Sequence, residues 1–240
     1  MTHQSTTHVL ALDMGIKNFA LGWVEFTDIV ERASEPSVPP AEPTSLTPET
    51  ISWNVRRMNN INLEEFCETH RHALRDRITN HKLERARGSL GTGMITQTVS
   101  GIPWAIYRSV IMVLDEWKED LEKYRPVVLI EQQMSGKHKA NIKSLRLSQH
   151  VLSYFLNRYP SLTVVEFSSR IKTEGVKFGS YNERKKWAVE RVMRGFDHEN
   201  DPVAKDWLMQ WKKKDDVADC ILMCLSYYSL QHKKDISEFF

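Results

Sequence analysis

The sequence predicts an α/β fold in which helices flank a mixed five-stranded β-sheet. Five short segments are rich in apolar and β-branched residues, as buried strands are, while longer segments repeat apolar residues at helical spacing. Three strands come first and the last two alternate with helices, an order that favours antiparallel pairing followed by parallel pairing. The predicted strands are residues 9–12, 19–26, 51–58, 127–130 and 162–167.

Helices are predicted from amphipathic spacing and from boundary residues. Asn62 with Glu65 indicates a capping box that opens a charged helix running towards residue 87, and Pro103 stands where helices often begin. The other predicted helices are residues 104–124, 140–158, 182–193 and 214–230. We expect a single domain of residues 1–240 with two additions, a proline-rich stretch near 33–49 and a helix and loop near 63–101.

Composition and charge exclude several classes of protein. Of the 240 residues, 41% are hydrophobic and 27% charged, and no apolar run approaches the roughly 20 residues that cross a bilayer. The start of the chain resembles no signal peptide, so we expect an intracellular protein without a membrane partner or small-molecule cofactor. Three cysteines without a CxxC spacing predict neither a disulfide framework nor a zinc site. The net charge is only +2, but residues 134–186 hold eleven Lys or Arg and three Glu, which favours a phosphate-contacting surface over a solvated helix face.

Two predicted strands end in a carboxylate where burial would be costly. Asp13 follows the apolar run 9–12, and Glu131 follows the run 127–130. A buried charge needs a compensating partner, and the ends of adjacent strands lie only about 5 Å apart. If these strands are neighbours, a cation between the two acids is the simplest explanation for both.

A third set of acids opens the last predicted helix. Asp216 and Asp219 are three positions apart and therefore share a face, which borders the apolar positions of the helix. Acids in a first turn also cap helices or complement the helix dipole, and for Asp215 alone we favour that explanation. Together with the two strand-end acids, the pair indicates a metal site.

Oxygen ligands alone select hard ions, so Mg²⁺ or Mn²⁺ is predicted rather than zinc. Two such ions suit in-line attack on a phosphodiester, since one activates the water while the other stabilises the leaving 3′-oxygen. The scattered histidines and cysteines form no convincing nucleophile–base arrangement. The residues therefore predict metal-dependent phosphodiester hydrolysis.

Four short segments resemble the RuvC-like Holliday junction resolvases, and most of all their poxvirus and fungal mitochondrial branch. The segments are LALDMGIKN around Asp13, VVLIEQQ around Glu131, YNERKKWAVE at 181–190 and KKDDVADCIL at 213–222. The resemblance implies a ribonuclease H-like fold and a homodimeric endonuclease that nicks four-way DNA junctions symmetrically with two Mg²⁺ ions. It leaves a viral replication site and a mitochondrion undistinguished as the setting.

The resemblance also implies which residues act. The implied metal ligands and catalytic acids are Asp13, Glu131, Asp216 and Asp219, with Asp215 supporting them. The family places a lysine near the scissile phosphate, which the apolar spacing of the helix assigns to Lys186, with Lys185 as second choice. Further DNA contacts are predicted for Lys137, Lys139, Lys143, Arg146, Lys177, Arg184 and Lys185. Residues 140–158 are a candidate for dimer packing, with burial against their own sheet as the alternative.

Three other functions stay open at this stage. A different ribonuclease H-like nuclease acting on RNA or RNA–DNA hybrids would use the same acids. A sugar-kinase or actin-like ATPase would share the Asp-x-Gly loop, but no second loop of this kind is present and the DDVAD segment argues against it. A non-catalytic protein that binds branched DNA would have a decayed site, whereas all four acids are present.

Overall fold

The computed structural model describes residues 2–31, 50–70, 98–99, 102–133 and 141–240, and it contains the predicted mixed five-stranded sheet. The strands of this sheet are β1 (Thr2–Asp13), β2 (Phe19–Glu31), β3 (Thr50–Ile61), β6 (Val127–Glu131) and β7 (Val164–Phe167). A separate small ribbon consists of β4 (Thr98–Val99) and β5 (Ile102–Pro103). The sheet order is β3-β2-β1-β6-β7, antiparallel from β1 to β3 and parallel from β1 through β6 to β7. The predicted α/β fold class is confirmed.

Seven α-helices lie in the described ranges. They are α1 (Leu63–Thr69), α2 (Trp104–Asp115), α3 (Lys118–Tyr124), α4 (Ile142–Arg158), α5 (Tyr181–His198), α6 (Pro202–Gln210) and α7 (Lys214–His232). Two short 3-10 helices cover Ile171–Thr173 and Ile236–Phe239. Judged by length and apolar character, no helix in these ranges could cross a membrane.

The central strand β1 divides its side chains between two cores. Val9 and Ala11 pack on one face of the sheet with residues of α5, α6 and α7, whereas Leu10 and Leu12 pack on the other face with residues of α2, α3 and α4. All four side chains are fully buried. Because helices cover both faces, this strand is a continuous apolar run instead of an alternating one.

Two helical segments differ from the prediction. The helix predicted over 104–124 is two helices, and the chain turns at Trp117, whose buried indole stacks on Trp23 at 6.0 Å between ring centroids. Helix α6 was not predicted, although Asp201 caps it by accepting a 2.9 Å hydrogen bond from the Ala204 amide, with Pro202 at the first turn.

Several predicted segments lie wholly or partly outside the described residues. The proline-rich stretch near 33–49 is one of them, and so is most of the helix and loop near 63–101, of which α1 and the ribbon are described. At the start of α1, the Asn62 side chain accepts a hydrogen bond from the Glu64 amide at 3.1 Å and donates one to Glu65 at 2.8 Å. This arrangement satisfies an N-terminal amide much as the predicted capping box would.

Candidate active site

Parallel pairing of β1 with β6 brings two acids to one edge of the sheet. Leu12 is in register with Ile130, so Asp13 and Glu131 follow directly at the ends of neighbouring strands. Burial raises the pKa of Asp13 well above its ordinary value, and the charge of Glu131 beside it raises that pKa further. The acids that sequence analysis singled out at two strand ends therefore lie together.

Helix α7 brings a third acid to this edge because it packs directly on the sheet. Gly22 of β2 faces α7 so closely that a Cβ atom there would lie 3.0 Å from the Cβ of Cys220, tighter than side chains normally pack. A side chain at this position would require Cys220 to shift by a few tenths of an ångström. Asp219 immediately precedes Cys220, and its charge contributes to the raised pKa of Asp13.

A buried lysine, which sequence analysis did not select, lies between two of these acids. Lys172 is in the 3-10 helix that follows β7, and its side chain is 0% exposed. Its Nζ is 3.2 Å from Oε1 of Glu131 and 3.2 Å from Oδ1 of Asp219. Burial alone would lower the pKa of Lys172, but the two carboxylates outweigh it and raise the pKa, so the ammonium stays charged. We call Asp13, Glu131, Asp219 and Lys172 the inner cluster.

The electrostatics of Glu131 follow from the same contact. Burial raises the pKa of Glu131, but the Lys172 charge together with hydrogen bonds from Asp13 and Lys172 outweighs burial and holds the pKa below its ordinary value. The Gln133 amide lies 3.4 Å from the Glu131 carboxylate as a second donor, and the charge of Arg184 also lowers the pKa. Arg184 is therefore within electrostatic range of Glu131.

A second group of charged residues lies near the inner cluster. Lys185 of α5 donates to the carboxylates of both Asp215 and Asp216, at 3.3 Å from Oδ1 of Asp216. Burial and the neighbouring charge of Asp215 raise the pKa of Asp216. Burial also raises the pKa of Asp215, but the hydrogen bond from Lys185 and the charge of Lys185 together outweigh it and lower that pKa. Oδ2 of Asp216 is buried and has no hydrogen-bond partner among the described residues. We call Asp215, Asp216 and Lys185 the outer cluster.

The structure brings Lys185, and not Lys186, to the acids. Lys186 has a side chain 79% exposed and pairs with Glu190 one helical turn away, at 3.4 Å. The apolar spacing of α5 located the buried face correctly, but neighbouring residues on a helix point about 100° apart. Lys185 therefore takes the place that the sequence-based choice gave to Lys186.

The remaining basic residues are distributed around the site and beyond the described ranges. Lys143 and Arg146 lie exposed on the first turns of α4, and Lys177 is exposed in the segment before α5. Lys137 and Lys139 are outside the described residues. The inner face of α4 packs on its own sheet, while Ile142 and Leu156 remain 53% and 55% exposed.

Carboxylates outnumber cations in the two clusters. Of the five acids, four are paired with Lys172 or Lys185, and the charge of Arg184 also acts on Glu131. As they stand, no three His, Cys, Asp or Glu side chains in the described ranges are grouped closely enough to hold a metal ion. The acids are held in place by the two lysines.

Comparison with known proteins identifies the family of this chain. The family model described as Poxvirus A22 protein matches residues 107–232, more than half of the 240 residues and a range that includes every member of both clusters except Asp13. No curated protein and no solved structure matches the chain. The chain belongs to the poxvirus A22 protein family, the Holliday junction resolvase family of the poxviruses, and this membership supports a nuclease function.

Proposed function

We propose that the protein is a divalent-metal-dependent endonuclease that resolves four-way DNA junctions by paired nicks. The observation that carries the proposal is the convergence of Asp13, Glu131 and Asp219 from two strands and a helix at one edge of the sheet. Such a convergence has a high cost in a folded protein unless cations compensate it. The family membership supports the junction as substrate.

The donor set of the two clusters fits Mg²⁺ or Mn²⁺. All the donors are carboxylate oxygens, which hard ions prefer, and they exceed the lysine charges that neutralise them. The buried Oδ2 of Asp216, without a hydrogen-bond partner in the described ranges, is an acceptor with unused capacity. We infer that Asp13, Glu131, Asp216 and Asp219 would hold two ions, with Asp215 supporting Asp216. Bound metal would supply an activated water and stabilise the charge on the leaving oxygen.

Lys172 and Lys185 have different roles in this proposal. Lys172 is fully buried and holds Glu131 and Asp219 in place, so it positions the acids rather than reaching the substrate. Lys185 has a side chain 19% exposed and lies at the mouth of the site, where it can contact the scissile phosphate. Because the pKa of Lys185 is raised by the outer-cluster carboxylates, it stabilises developing negative charge and does not act as a base.

Paired nicks on opposing strands call for two symmetric active sites, and we propose a homodimer acting during viral replication in the host cell. The exposed Ile142 and Leu156 of α4 support an apolar contact between subunits. Lys143, Arg146, Lys177 and Arg184 would bind phosphates, which positions the DNA without reading its sequence.

The test compares a synthetic four-way junction with a linear duplex and an RNA–DNA hybrid of the same sequence, in Mg²⁺ and in EDTA. We expect symmetric nicks in the junction only, and only with metal. Asp219→Asn should abolish them, while Asp206→Asn, which changes an exposed acid on α6, should leave them intact. Cutting of the hybrid in preference to the junction, or cutting in EDTA, would refute the proposal.

A further inference from the structure

An open groove of about 690 Å³ lies between α5 and the segment that joins α6 to α7. Its apolar surface comes from Val189 and Met193 of α5 and from Met209 of α6, whose side chain is about half exposed. Methionine side chains adapt to ligands of irregular shape. The volume is that of a site for one small ligand, and not of a surface that follows a duplex.

The charges along this groove are mainly positive. Five cationic and three acidic residues line it. Lys185 and Lys186 are engaged by acids, but no ion pair between described residues involves Arg194, Lys212 or Lys214. Because none of these three cations is in an ion pair with a described acid, all three are available to an anionic ligand.

The groove is continuous with the candidate active site. Lys185 and Asp215 of the outer cluster are among its lining residues, so a DNA strand bound at these residues would also adjoin the groove. Sites for single-stranded nucleic acids combine a positively charged groove with side chains that contact the bases, usually aromatic ones. In this groove the side chains that could contact bases and sugars are those of Val189, Met193 and Met209.

We propose that this groove binds one or two unpaired nucleotides of the DNA strand next to the cut. The base pairs that flank the branch point of a four-way junction lack continuous stacking on one side, so one or two of them can be opened there at lower cost than in a linear duplex. The inference rests on the proposed function, since it assigns the groove to the same substrate.

The test uses the variant Arg194→Gln/Lys212→Gln/Lys214→Gln and a matched control, Lys118→Gln/Lys123→Gln/Arg158→Gln, which removes three cations from α3 and α4 on the opposite face of the sheet. The probes are an oligodeoxythymidylate, a linear duplex and a four-way junction, each titrated over a range of salt concentrations. For the groove variant, we expect the slope of log affinity against log salt to fall by about 2 with the oligonucleotide, since each lost phosphate contact on a single strand contributes about 0.7. The junction should show a similar fall and the duplex none.

A second variant replaces an apolar residue of the groove by one whose charge repels phosphates. Met209→Glu places a negative charge inside the groove, so it should weaken oligonucleotide binding without changing duplex binding. An equal loss for duplex and junction, or no loss beyond that of the control, would overturn the assignment of the groove. Failure of the wild type to cut junctions would instead overturn the proposed function, and the two results are therefore distinguishable.

Discussion

Removal of the Lys172 ammonium gives the sharpest test of the inner cluster. Lys172→Met keeps a side chain of similar length but takes the cation away from Glu131 and Asp219, both at 3.2 Å and both mostly buried. Breaking a buried ion pair from one side typically costs about 3–5 kcal/mol, because a charge is left without compensation. For a chain of this size, a loss of that order lowers the melting temperature by about 10 °C. We therefore expect a marked destabilisation in EDTA.

Divalent metal should reverse part of this loss. An ion at 100 times its Kd stabilises the folded state by about 2.7 kcal/mol, and without Lys172 it meets no competing ammonium. Thermal melts in EDTA and in Mg²⁺ measure both effects. The control is Lys186→Met, which removes one exposed ion pair worth about 0.3–0.5 kcal/mol. Two results would contradict this reasoning. One is a melting temperature of Lys172→Met in EDTA equal to that of the control. The other is an increase in melting temperature with Mg²⁺ no larger than that of the wild type. Either would show that the inner cluster does not need a cation.

Three further predictions concern the acids, the packing of α7 and two half-buried histidines. Asp216→Asn should retain junction binding in a gel-shift assay but lose cleavage in Mg²⁺, because a proposed metal ligand is removed while the basic surface is intact; wild-type cleavage would contradict this. Gly22→Val should lower the free energy of unfolding by about 1–3 kcal/mol, since the new side chain meets Cys220, and an unchanged urea midpoint would contradict it. Burial lowers the pKa values of His8 and His150, so the unfolded chain binds protons more readily, and stability should fall as the pH drops below about 6.5. Replacing His150 by Gln should reduce that fall, measured as the urea midpoint between pH 7 and 5.

The parts of the site that sequence analysis found are those with a local signal. Asp13 and Glu131 each end an apolar run, and a charge in that position stands out without knowledge of the fold. Lys172 carries no such signal, because its partner Glu131 is 41 positions away and the contact exists only once β7 pairs with β6. Its position just after the strand beside β6 could have drawn attention to it.

The choice between Lys185 and Lys186 shows the limit of helical periodicity. The apolar positions of α5 identify the buried face, but the residue that reaches the acids depends on where α7 lies relative to that face. Asp216 and Asp219 share a helix face as predicted, yet they belong to different clusters because Lys185 lies near one and Lys172 near the other.

The same distinction between local patterns and distant contacts explains which parts of the fold could be predicted from the sequence. Both core strands β1 and β6 were predicted within one residue at their acidic ends, because burial on two faces leaves a continuous apolar run. The break between α2 and α3 was missed because it depends on Trp117 packing against Trp23, nearly a hundred positions earlier in the chain. Helix α6 buries only Ala204 and Leu208, too few positions to establish a period.

The lysines also explain how five carboxylates can gather at one sheet edge before any metal is bound. Without a cation, like charges at this separation would keep protons or force the strands and α7 apart. Lys172 and Lys185 each join two acids, so the fold can form with both clusters in place and with carboxylate charge still in excess. In the proposed mechanism that excess would attract a divalent ion, so the protein would assemble the site before the metal binds.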